Sequence, residues 1–502
     1  MYQETMEQCG AYEKDALWLD VRGNHDTFNT ADMKEDFYRK FGIRRESRMY
    51  WKSLKYNNVS YGFVAMDATL MPGPKRPFNF FGSMDPSELN QFKTLVSQAE
   101  KATDYQFVFG HFPTSTVLAP SPGIKSVIGN APNALAYLCG HLHTLNGMIP
   151  HMYSSQPEGF LELEAGDWKD NRIFRLMAVD QGQLTFKDLV HEPSQKALTV
   201  LTNPTDMRYV QPQDFRLIQT STHIRALVFT NDHVEKVNVV IDDQDEYTLS
   251  KVKNHDHLYV SPWNAKKYQD QNVHTAKVIL FFKDGSKTVQ EESHFTLSQN
   301  DELGTTSIFA KIILRFNWSL VTQAAFGFCA SFLVIPLCWM RMDSKRWSNS
   351  HWRLIRGLTK VALKNSLMLP ITFAAIYVSL GPWAFGYILD DHLGLLFPWG
   401  LFIDGHVLPA DVTHLYGVFF MFPYLYILTI GLALKRRRKE DENYLVFWLK
   451  TNLVFVIVMI CQVLHCLEFY LCYGLLATVV GILGVSRIIF VYYLWCNSCS
   501  SI

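Results

Sequence analysis

Residues 134–143 read ALAYLCGHLH, and this stretch decides how the N-terminal half of the chain folds. A short apolar run, Ala134–Leu138, is followed closely by Gly140, His141 and His143. Glycine lets the backbone turn sharply and approach its neighbours closely, so polar groups can gather where the strand ends. The stretch therefore predicts a buried strand that delivers two imidazole rings to one edge of a sheet.

The same arrangement occurs twice earlier in the chain. The dipeptide GH at 110–111 follows the apolar run Tyr105–Phe109, and the tetrapeptide GNHD at 23–26 follows the apolar run at 16–19. Strand ends that lie side by side in one sheet can bring their side chains to a single point. We therefore expect these three motifs to meet in space.

The segments between and after the motifs indicate two kinds of domain. Residues 59–68 have the composition of a strand, and residues 85–88 (DPSE) are typical of a helix start with an N-cap and a proline in the first turn. Alternating strand and helix signals predict an α/β domain. Residues 237–241 alternate apolar and polar side chains, and Val278–Phe282 runs into the hairpin signal Asp284-Gly285. The later region is therefore predicted as a small Ig-like β-sandwich.

The three motifs carry groups that bind divalent metals. Imidazole nitrogens and an amide oxygen suit zinc, manganese or iron. The rings of His141 and His143 could face two metals about 3.5–4 Å apart, as two-metal hydrolases require. His25 would then be free to act as a general acid, with Asp26 holding its ring. The alternative is that these are loop histidines without any metal.

GNHD, GH and GHLH, in that order within residues 16–190, resemble the calcineurin-like metallophosphoesterase family. The resemblance implies a layered β-sandwich flanked by helices, two divalent metal ions (zinc, manganese or iron) and hydrolysis of a phosphate ester. It implies that Asn24, His111 and His141 bind one metal and that His143 binds the other. It also implies that His25 and Asp26 form the catalytic pair that protonates the leaving group.

One part of the family pattern is missing ahead of GNHD. The family begins with DxH and GDxxD, which supply further ligands and the bridging carboxylate, and residues 1–22 contain neither. We therefore expect the phosphoesterase domain to be incomplete at its N-terminus, and the binding of two metals and the activity to be impaired. Short matches at 166–170, 390–392 and 404–406 come too late in the chain and would require a permuted topology.

The C-terminal part of the chain has the composition of a membrane domain. Long uncharged stretches predict five transmembrane helices, at 318–340, 366–389, 415–434, 451–473 and 474–495. Residues 394–403 are apolar but too short to cross, and we interpret them as interfacial or re-entrant. The ionisable residues His465, Glu468 and Arg487 lie within predicted spans, which leaves a transporter-like role open as an alternative.

Basic residues predict the orientation in the membrane. The segments 341–364 and 435–450 contain seven and six Lys or Arg residues, whereas 390–414 contains none. Because basic loops stay on the cytoplasmic side, the N-terminal domains are predicted to be lumenal or extracellular and the C-terminus cytoplasmic. Endoplasmic reticulum, lysosome and plasma membrane all remain open. Asn58 begins an Asn-Val-Ser sequon that could be glycosylated on that side.

The predicted organisation has four parts: a metallophosphoesterase-like domain at 1–195, an Ig-like sandwich at 198–300, a linker at 301–317 and the membrane region at 318–497. The formal net charge is zero, which gives no indication of nucleic-acid binding. The predicted function is that of a membrane-tethered metal-dependent phosphoesterase with an unknown phosphate-ester substrate. The alternative is a non-catalytic membrane scaffold or binding protein that keeps the phosphoesterase fold.

Overall fold

The computed structural model describes residues 4–5, 8, 17–33, 38, 42, 47–210, 215–298, 307–409, 411–435, 440 and 442–499. Three units follow one another along them: an α/β unit, an all-β unit and a group of apolar helices that carries a small sheet. The multi-domain architecture predicted from the sequence is confirmed in this outline. Residues 1–3 and most of 9–16, with the start of the predicted strand at 16–19, lie outside the described residues.

The α/β unit is built on a mixed sheet. Its elements are β1 (Tyr50–Tyr56), β2 (Val59–Met66), β3 (Gly82–Ser83), α1 (Pro86–Ala102), β4 (Tyr105–Gly110), a 3₁₀ turn (Thr114–Thr116), β5 (Val117–Leu118), α2 (Gly123–Gly129), β6 (Ala134–Cys139), β7 (Tyr153–Ser155), β8 (Leu161–Glu164), β9 (Ile173–Asp180) and β10 (Gln183–Val190). Within residues 47–210 the main sheet has the order β1-β2-β4-β6-β8-β7, and β2, β4, β6 and β8 run parallel. Their carboxyl ends therefore share one edge.

Both faces of this sheet are covered. Helix α1 begins as predicted, with Asp85 as N-cap in a capping box with Glu88. Its buried Phe92 packs with Val64 and Val108 from one face of the sheet. The hairpin of β9 and β10 packs on the other face, where Phe186 meets Phe107. The unit is thus a layered structure of helices, sheet and hairpin.

The apolar run before GNHD does not form a strand. Residues 17–22 are described without any strand pairing. Leu19 and Val21 instead lie with Phe109 and Leu138 around a cavity of about 390 Å³ at the end of the main sheet. The sequence prediction of a strand there was wrong for the residues that can be described.

The all-β unit is a folded-over sheet. Its strands are β11 (Ala197–Asn203), β12 (His223–Thr230), β13 (Val234–Ile241), β14 (Asp245–Lys251), β15 (Leu258–Pro262), β16 (His274–Phe282) and β17 (Lys287–Phe295), with α3 (Phe215–Gln219) and a 3₁₀ turn (Ala265–Tyr268). The strand order is β11-β12-β15-β14-β13-β16-β17, yet β12 and β13 share one buried core. Two faces of the sheet therefore enclose the core, as in a sandwich.

The predicted linker contains a docked helix. The helix α4 (Ile308–Arg315) buries Ala310 and Leu314 against Ile149 and Met152 of the α/β unit. The Nζ of Lys125 donates to the carbonyls of Leu314 and Arg315, both at 2.8 Å. The predicted linker at 301–317 therefore includes a helix whose apolar face is buried on the first unit. Residues 301–306 lie outside the described residues.

The C-terminal unit differs from the predicted five-helix bundle. It comprises α5 (Trp318–Met342), α6 (Ser344–Ser348), α7 (Arg353–Leu363), α8 (Asn365–Leu380), β18 (Ala384–Leu389), β19 (His392–Phe397), β20 (Gly400–Ile403), β21 (His406–Pro409), α9 (Asp411–Tyr416), a π-helical turn (Gly417–Met421), α10 (Phe422–Leu434), α11 (Tyr444–Val479) and α12 (Val485–Cys499). Among the residues that the structure describes, three helical stretches are long and apolar enough to span a membrane, at 318–342, 411–434 and 444–479. The pair α7 and α8, bent by 90°, would make a fourth span if it acts as one.

Two predicted spans need correction. The span at 366–389 is helical only to Leu380, because Gly381-Pro382 ends the helix and the chain continues as strand β18. The predicted break at Tyr473–Gly474 is present, because Gly474 (φ 76°) is non-helical and divides α11 into two helices, the second of which ends at Val479. The helix that follows, α12, has 15 residues, shorter than the predicted span at 474–495.

The apolar segment at 394–403 forms strands, and its interpretation as interfacial or re-entrant stays a prediction. It forms part of a sheet of β18, β19, β20 and β21, joined by a turn at Asp390-Asp391 and another at Asp404-Gly405. This small sheet contacts the α/β unit through Asp390, whose carboxylate lies 2.6 Å from Lys75 Nζ and 2.7 Å from Asn29 Nδ2. It therefore holds the first unit against the helices.

Candidate active site

Three predicted site residues meet at the carboxyl edge of the main sheet. His111 directly follows β4, and His141 lies two residues past β6, the parallel neighbour of β4. The Nε2 atom of His111 lies 2.9 Å from Asn24 Oδ1 and 3.0 Å from His141 Nδ1. We call Asn24, His111 and His141 the donor trio. The sequence prediction that these residues come together agrees with the geometry, although their role remains a proposal.

The turn that presents Asn24 is held from several sides. A Cβ atom on Gly23 would lie 2.9 Å from the His111 ring, so glycine permits the close approach. The buried Asn79 donates from Nδ2 to the Asn24 carbonyl at 3.1 Å and to Thr27 Oγ1 at 2.9 Å. The carboxylate of Asp26 accepts the Gly23 N–H at 2.8 Å. Asn24 itself is only 4% exposed, so its amide has little freedom to reorient.

Strand β8 supports the two histidine loops with buried glutamates. One carboxylate oxygen of Glu164 accepts the backbone N–H groups of Leu142 and His143. Glu162 accepts the Thr114 N–H at 2.8 Å and the Thr114 hydroxyl at 2.6 Å. Burial raises the pKa of Glu164 to about 7. The sequence analysis missed both residues; the signal was a strand, LELE, in which two carboxylates alternate with apolar residues beside a predicted histidine loop.

The two rings of the trio are neutral at physiological pH. Burial, together with the charge of the neighbouring His141, lowers the pKa of His111 to about 3. Burial also lowers the pKa of His141 to about 4. A neutral imidazole keeps a lone pair on one ring nitrogen, which is the form that binds metals. The electrostatics of the cluster therefore disfavour two imidazolium cations and suit one shared cation.

His25 is exposed next to the trio and faces a cation. Its Nδ1 lies 3.1 Å from Nη2 of Arg76, whose guanidinium also lies 4.8 Å from the centre of the Phe28 ring. Because a guanidinium only donates hydrogen bonds, Nδ1 of His25 must accept. Burial is the main cause that lowers the pKa of His25, and the charge of Arg76 adds to it while Asp26 opposes it. Arg76 was not predicted as a site residue.

His143 lines the same cavity as the trio but also faces a second, smaller pocket. It is exposed, has a left-handed backbone (φ 54°) and lines a smaller pocket of about 250 Å³ with Asp167 and Asp170. The Asp167 carboxylate already accepts the backbone N–H groups of Asp170 and Asn171. Within the described residues, no three His, Cys, Asp or Glu side chains form a group able to hold a metal. A second metal at His143 is therefore not supported by its surroundings.

Two of the separations within the donor trio match the spacing of ligands around one divalent cation. Two ligands at right angles, each about 2.1 Å from a metal, are about 3.0 Å apart. The separations of 2.9 and 3.0 Å around His111 Nε2 match this spacing. One amide oxygen and two imidazole nitrogens suit zinc, manganese or iron. All three donors are neutral, so they leave the charge of the cation uncompensated.

The carboxylate next along this edge is already paired. Asp67 directly follows β2, and its side chain is buried against Arg22, with Oδ2 2.6 Å from Arg22 Nη2. Thr69 and Arg48 also donate to it. Burial would raise the pKa of Asp67, but these partners together lower it. Asp67 is thus ionised and bound within the protein.

The trio opens into a cavity shared with the membrane helices. The cavity has a volume of about 640 Å³. From the α/β unit it is lined by the trio, His25, Arg76 and His143, and by Phe28 and Phe80. From the helices it is lined by residues 412–420 and 465–473, including His465 and Glu468. The sequence analysis predicted neither this contact nor the aromatic wall that it creates.

The other predicted positions have separate surroundings. Asn58 lies exposed in the tight turn between β1 and β2, with φ 67°. Arg487 is buried among the helices, where it donates to the Leu483 carbonyl. Glu468 lies near His465, with 3.7 Å between Oε2 and Nδ1. Tyr416 connects these residues, because its hydroxyl hydrogen-bonds with His465 Nε2 and also interacts with Arg487. The transporter-like alternative therefore stays a prediction.

Comparisons with known proteins agree with the resemblance seen in the motifs. A family model described as the TMEM62 Ig-like domain matches residues 194–301. Over 496 residues the chain is 31% identical to a mouse protein, transmembrane protein 62, in an alignment that covers 95% of this chain and 75% of the mouse protein. These matches confirm the prediction that the chain is a multi-pass relative of the metallophosphoesterases, of the transmembrane protein 62 type.

A second relative comes from a plant. Over 332 residues the chain is 26% identical to a protein of Arabidopsis thaliana named as a candidate metallophosphoesterase. The alignment covers 53% of this chain and 44% of the plant protein. No solved structure gives a significant match.

Proposed function

This chain belongs to the transmembrane protein 62 family, and we propose that it is a membrane-tethered, metal-dependent phosphoric ester hydrolase. The observation that carries the proposal is the convergence of Asn24, His111 and His141 in a cavity beside an exposed histidine and an arginine. The plant relative, whose name refers to a metallophosphoesterase, supports the reaction class.

Each residue has a proposed role. Asn24, His111 and His141 hold one divalent cation, zinc, manganese or iron, which when bound supplies Lewis-acid charge for the phosphoryl group. Arg76 binds a non-bridging oxygen of the phosphate, a better partner for a guanidinium than a neutral imidazole. His25 protonates the leaving oxygen, and Asp26, which raises the pKa of His25, favours its charged form. His143, predicted for a second metal, remains a weaker proposal at the mouth of the cavity.

The proposed reaction is hydrolysis of one P–O bond. The oxygen of a water molecule bonds to phosphorus while the bond from phosphorus to the leaving oxygen breaks. The leaving oxygen takes a proton from His25, and the proton released by the water restores His25 through solvent. The products are an alcohol and a phosphate with one ester bond fewer.

The proposed orientation places this site on the lumenal or extracellular side. The loops rich in Lys and Arg adjoin the far ends of α5, α10 and α11, and the α/β unit docks at the opposite ends of these helices. Near the C-terminus, the Asn497 carbonyl accepts from Lys364, and Ser498 Oγ accepts from Lys435. These contacts support a cytoplasmic C-terminus. Glycosylation of Asn58 would fit the same orientation.

Hydrolysis of an aryl phosphodiester tests the proposal. The full chain, purified in detergent and supplied with zinc, manganese or iron, should release the aryl alcohol slowly, because one cation gives only part of a two-metal mechanism. His25→Ala should abolish the release without removing metal. His406→Ala, an exposed histidine of the small sheet, should leave both unchanged. Metal binding without any turnover above the His25→Ala level would reject the catalytic role.

A non-catalytic binding protein is the second candidate. It is favoured by one observation: the donor trio contains no carboxylate, and the nearby Asp67 is held by Arg22. A bridging carboxylate normally offsets the charge of two metals. In this case the cavity would bind a phosphate ester and release it unchanged. Tight binding of ligand by the intact chain, with no hydrolysis under any of the three metals, would establish it.

A further inference from the structure

The cavity has one polar and one apolar end. The donor trio, His25 and Arg76 form the polar end. The apolar end is formed by side chains of the helices, among them Leu415, Phe419, Phe420 and Phe469. A large aromatic wall does not suit a small, fully water-soluble ester, because burying the polar groups of such an ester against aromatic side chains costs free energy.

The apolar end belongs to helices that can span a membrane. Residues 411–434 and 444–479 are both long and apolar enough to do so. Phe419 and Phe420 are 64% and 51% exposed and lie in the π-helical turn at 417–421. On a membrane-spanning helix, such side chains contact the bilayer, so the cavity wall is continuous with a lipid-facing surface.

The arginine that lines the cavity, Arg76, lies at its polar end. Arg76 faces His25, and the charge of Lys169 also acts on His25. The Arg76 carbonyl accepts from the hydroxyl of Tyr473 on α11, which fixes this segment against the helix. The acidic residue in the cavity wall is Glu468, which lies near His465 on the helix side. A phosphate would thus be drawn to the trio and away from the helices.

We propose that the ligand of this site is a membrane lipid that carries a phosphate ester. Its phosphate lies at the donor trio and Arg76, and its hydrocarbon chains leave between the helical turn with Phe419 and Phe420 and helix α11. The lipid reaches the site from the outer or lumenal leaflet without crossing water. This inference rests on the proposed function, whose substrate class it specifies.

Competition among three related probes tests the lipid class. The full chain in detergent is loaded with a fluorescent phosphatidylglycerol, which is then displaced by short-chain phosphatidylglycerol, by glycerophosphoglycerol, or by the matching diacylglycerol. Short-chain phosphatidylglycerol should displace the fluorescent lipid at a concentration at least about tenfold lower than glycerophosphoglycerol or diacylglycerol requires. A tenfold effect corresponds to burying roughly two methylene groups. Equal competition by glycerophosphoglycerol would overturn the proposal, and so would equal competition by diacylglycerol.

Matched variants locate the chain-binding end. Phe419→Ala/Phe420→Ala should remove the preference for the acylated probe. The control Phe328→Ala/Phe332→Ala changes a stacked, exposed pair on α5 that does not line the cavity, and it should keep the preference. Leu415→Trp, which fills the apolar end, should weaken lipid binding by about tenfold or more. Retained preference in both cavity variants would contradict the proposal.

Metal content and aryl phosphodiester turnover of the same samples separate the two proposals. If metal and turnover are present but acyl chains do not matter, the lipid proposal alone fails. If acyl chains matter but metal and turnover are absent, the enzyme proposal fails and the cavity is that of a phospholipid-binding protein. Loss of lipid preference in Phe419→Ala/Phe420→Ala with unchanged metal content supports the lipid proposal directly.

Discussion

Two sheets in this protein place the same residue types at their strand ends with different results. At the end of the main sheet, Asn24 Oδ1 and His141 Nδ1 lie 2.9 and 3.0 Å from His111 Nε2. In the small sheet, each turn also carries aspartate, glycine or histidine. There Asp390 pairs with Lys75, and Asp404 pairs with His392.

The difference shows that pairing and burial, and not residue type, decide whether polar side chains are available to a ligand. In the small sheet, the charged side chains form pairs within the turns or with the α/β unit. The main sheet also pairs its carboxylate, Asp67, with Arg22, but it leaves the neutral trio facing a cavity. Charged side chains that are already paired gain little free energy from binding an added ion. A cluster of neutral donors gains more free energy from binding one.

Breaking the buried pair at the main sheet should have the largest effect. Asp67→Ala leaves the Arg22 guanidinium buried without its carboxylate, and we expect a loss of about 3–5 kcal/mol in the free energy of unfolding. The pKa of Asp67 is lowered in the folded protein, so its contribution is present above its usual pKa and is lost as the pH falls. Denaturation followed by tryptophan fluorescence measures both the loss in the free energy of unfolding and its dependence on pH. Asp404→Ala, in the exposed turn, is the control, and an equal loss there would refute the contrast.

Loosening the histidine loop should have the next largest effect. Glu164→Ala leaves the N–H groups of Leu142 and His143 without their acceptor, at a cost of about 1–3 kcal/mol, and weakens metal binding. Glu164→Gln keeps an acceptor oxygen and should retain most of the stability.

The same pair of variants gives a pH test. Burial raises the pKa of Glu164 from 4.5 to about 7, so the folded wild type holds a proton that the unfolded chain has lost between these values. The stability contributed by this group therefore falls as the pH rises through this window. Glu164→Gln should flatten that part of the curve. An unchanged slope in thermal unfolding between these pH values would show that Glu164 does not titrate there.

Breaking the exposed pair at the small sheet should have a small effect. The Asp390 side chain is 68% exposed, so Asp390→Asn should cost about 0–1 kcal/mol because solvent already screens its interaction with Lys75. Metal binding at the trio should not change. Loss of metal in this variant would mean that docking of the small sheet shapes the site more strongly than the contacts indicate.

The smallest effect concerns the charge beside His25. Burial is the largest cause that lowers the pKa of His25, and Arg76→Gln removes the next largest, so that pKa should rise. The pH dependence of His25 modification by diethyl pyrocarbonate reports the shift. Lys187→Gln, on the strand β10, serves as the control for a loss of one positive charge. A pKa that stays the same or falls in Arg76→Gln would contradict the contact between the two side chains.

The sequence predicted the trio because each member follows a glycine that comes after an apolar run, and two of those runs are the parallel neighbours β4 and β6. It did not predict Glu164 or Asn79, since a buried polar residue becomes a support only when its distant partner is known. It also did not predict the cavity wall, because the contact between Arg76 and Tyr473 joins segments about four hundred residues apart.

The small sheet was misread for a different reason. An apolar run without charges, such as 384–389, does not distinguish a strand from the end of a membrane helix by periodicity. The local signals were present: Gly381-Pro382 ends the helix, and Asp404-Gly405 is typical of a tight hairpin turn. The length of the uncharged stretch outweighed them in the prediction of the span at 366–389.

The most direct test of the central claim is the number of divalent cations bound per chain. Elemental analysis of the full chain, dialysed against zinc, manganese or iron, should give about one cation per chain for a site of one amide and two imidazoles. His111→Ala/His141→Ala should bring the number close to zero, while His392→Ala at the small sheet should leave it unchanged. No bound cation in the wild type, or the same number in His111→Ala/His141→Ala, would contradict the account.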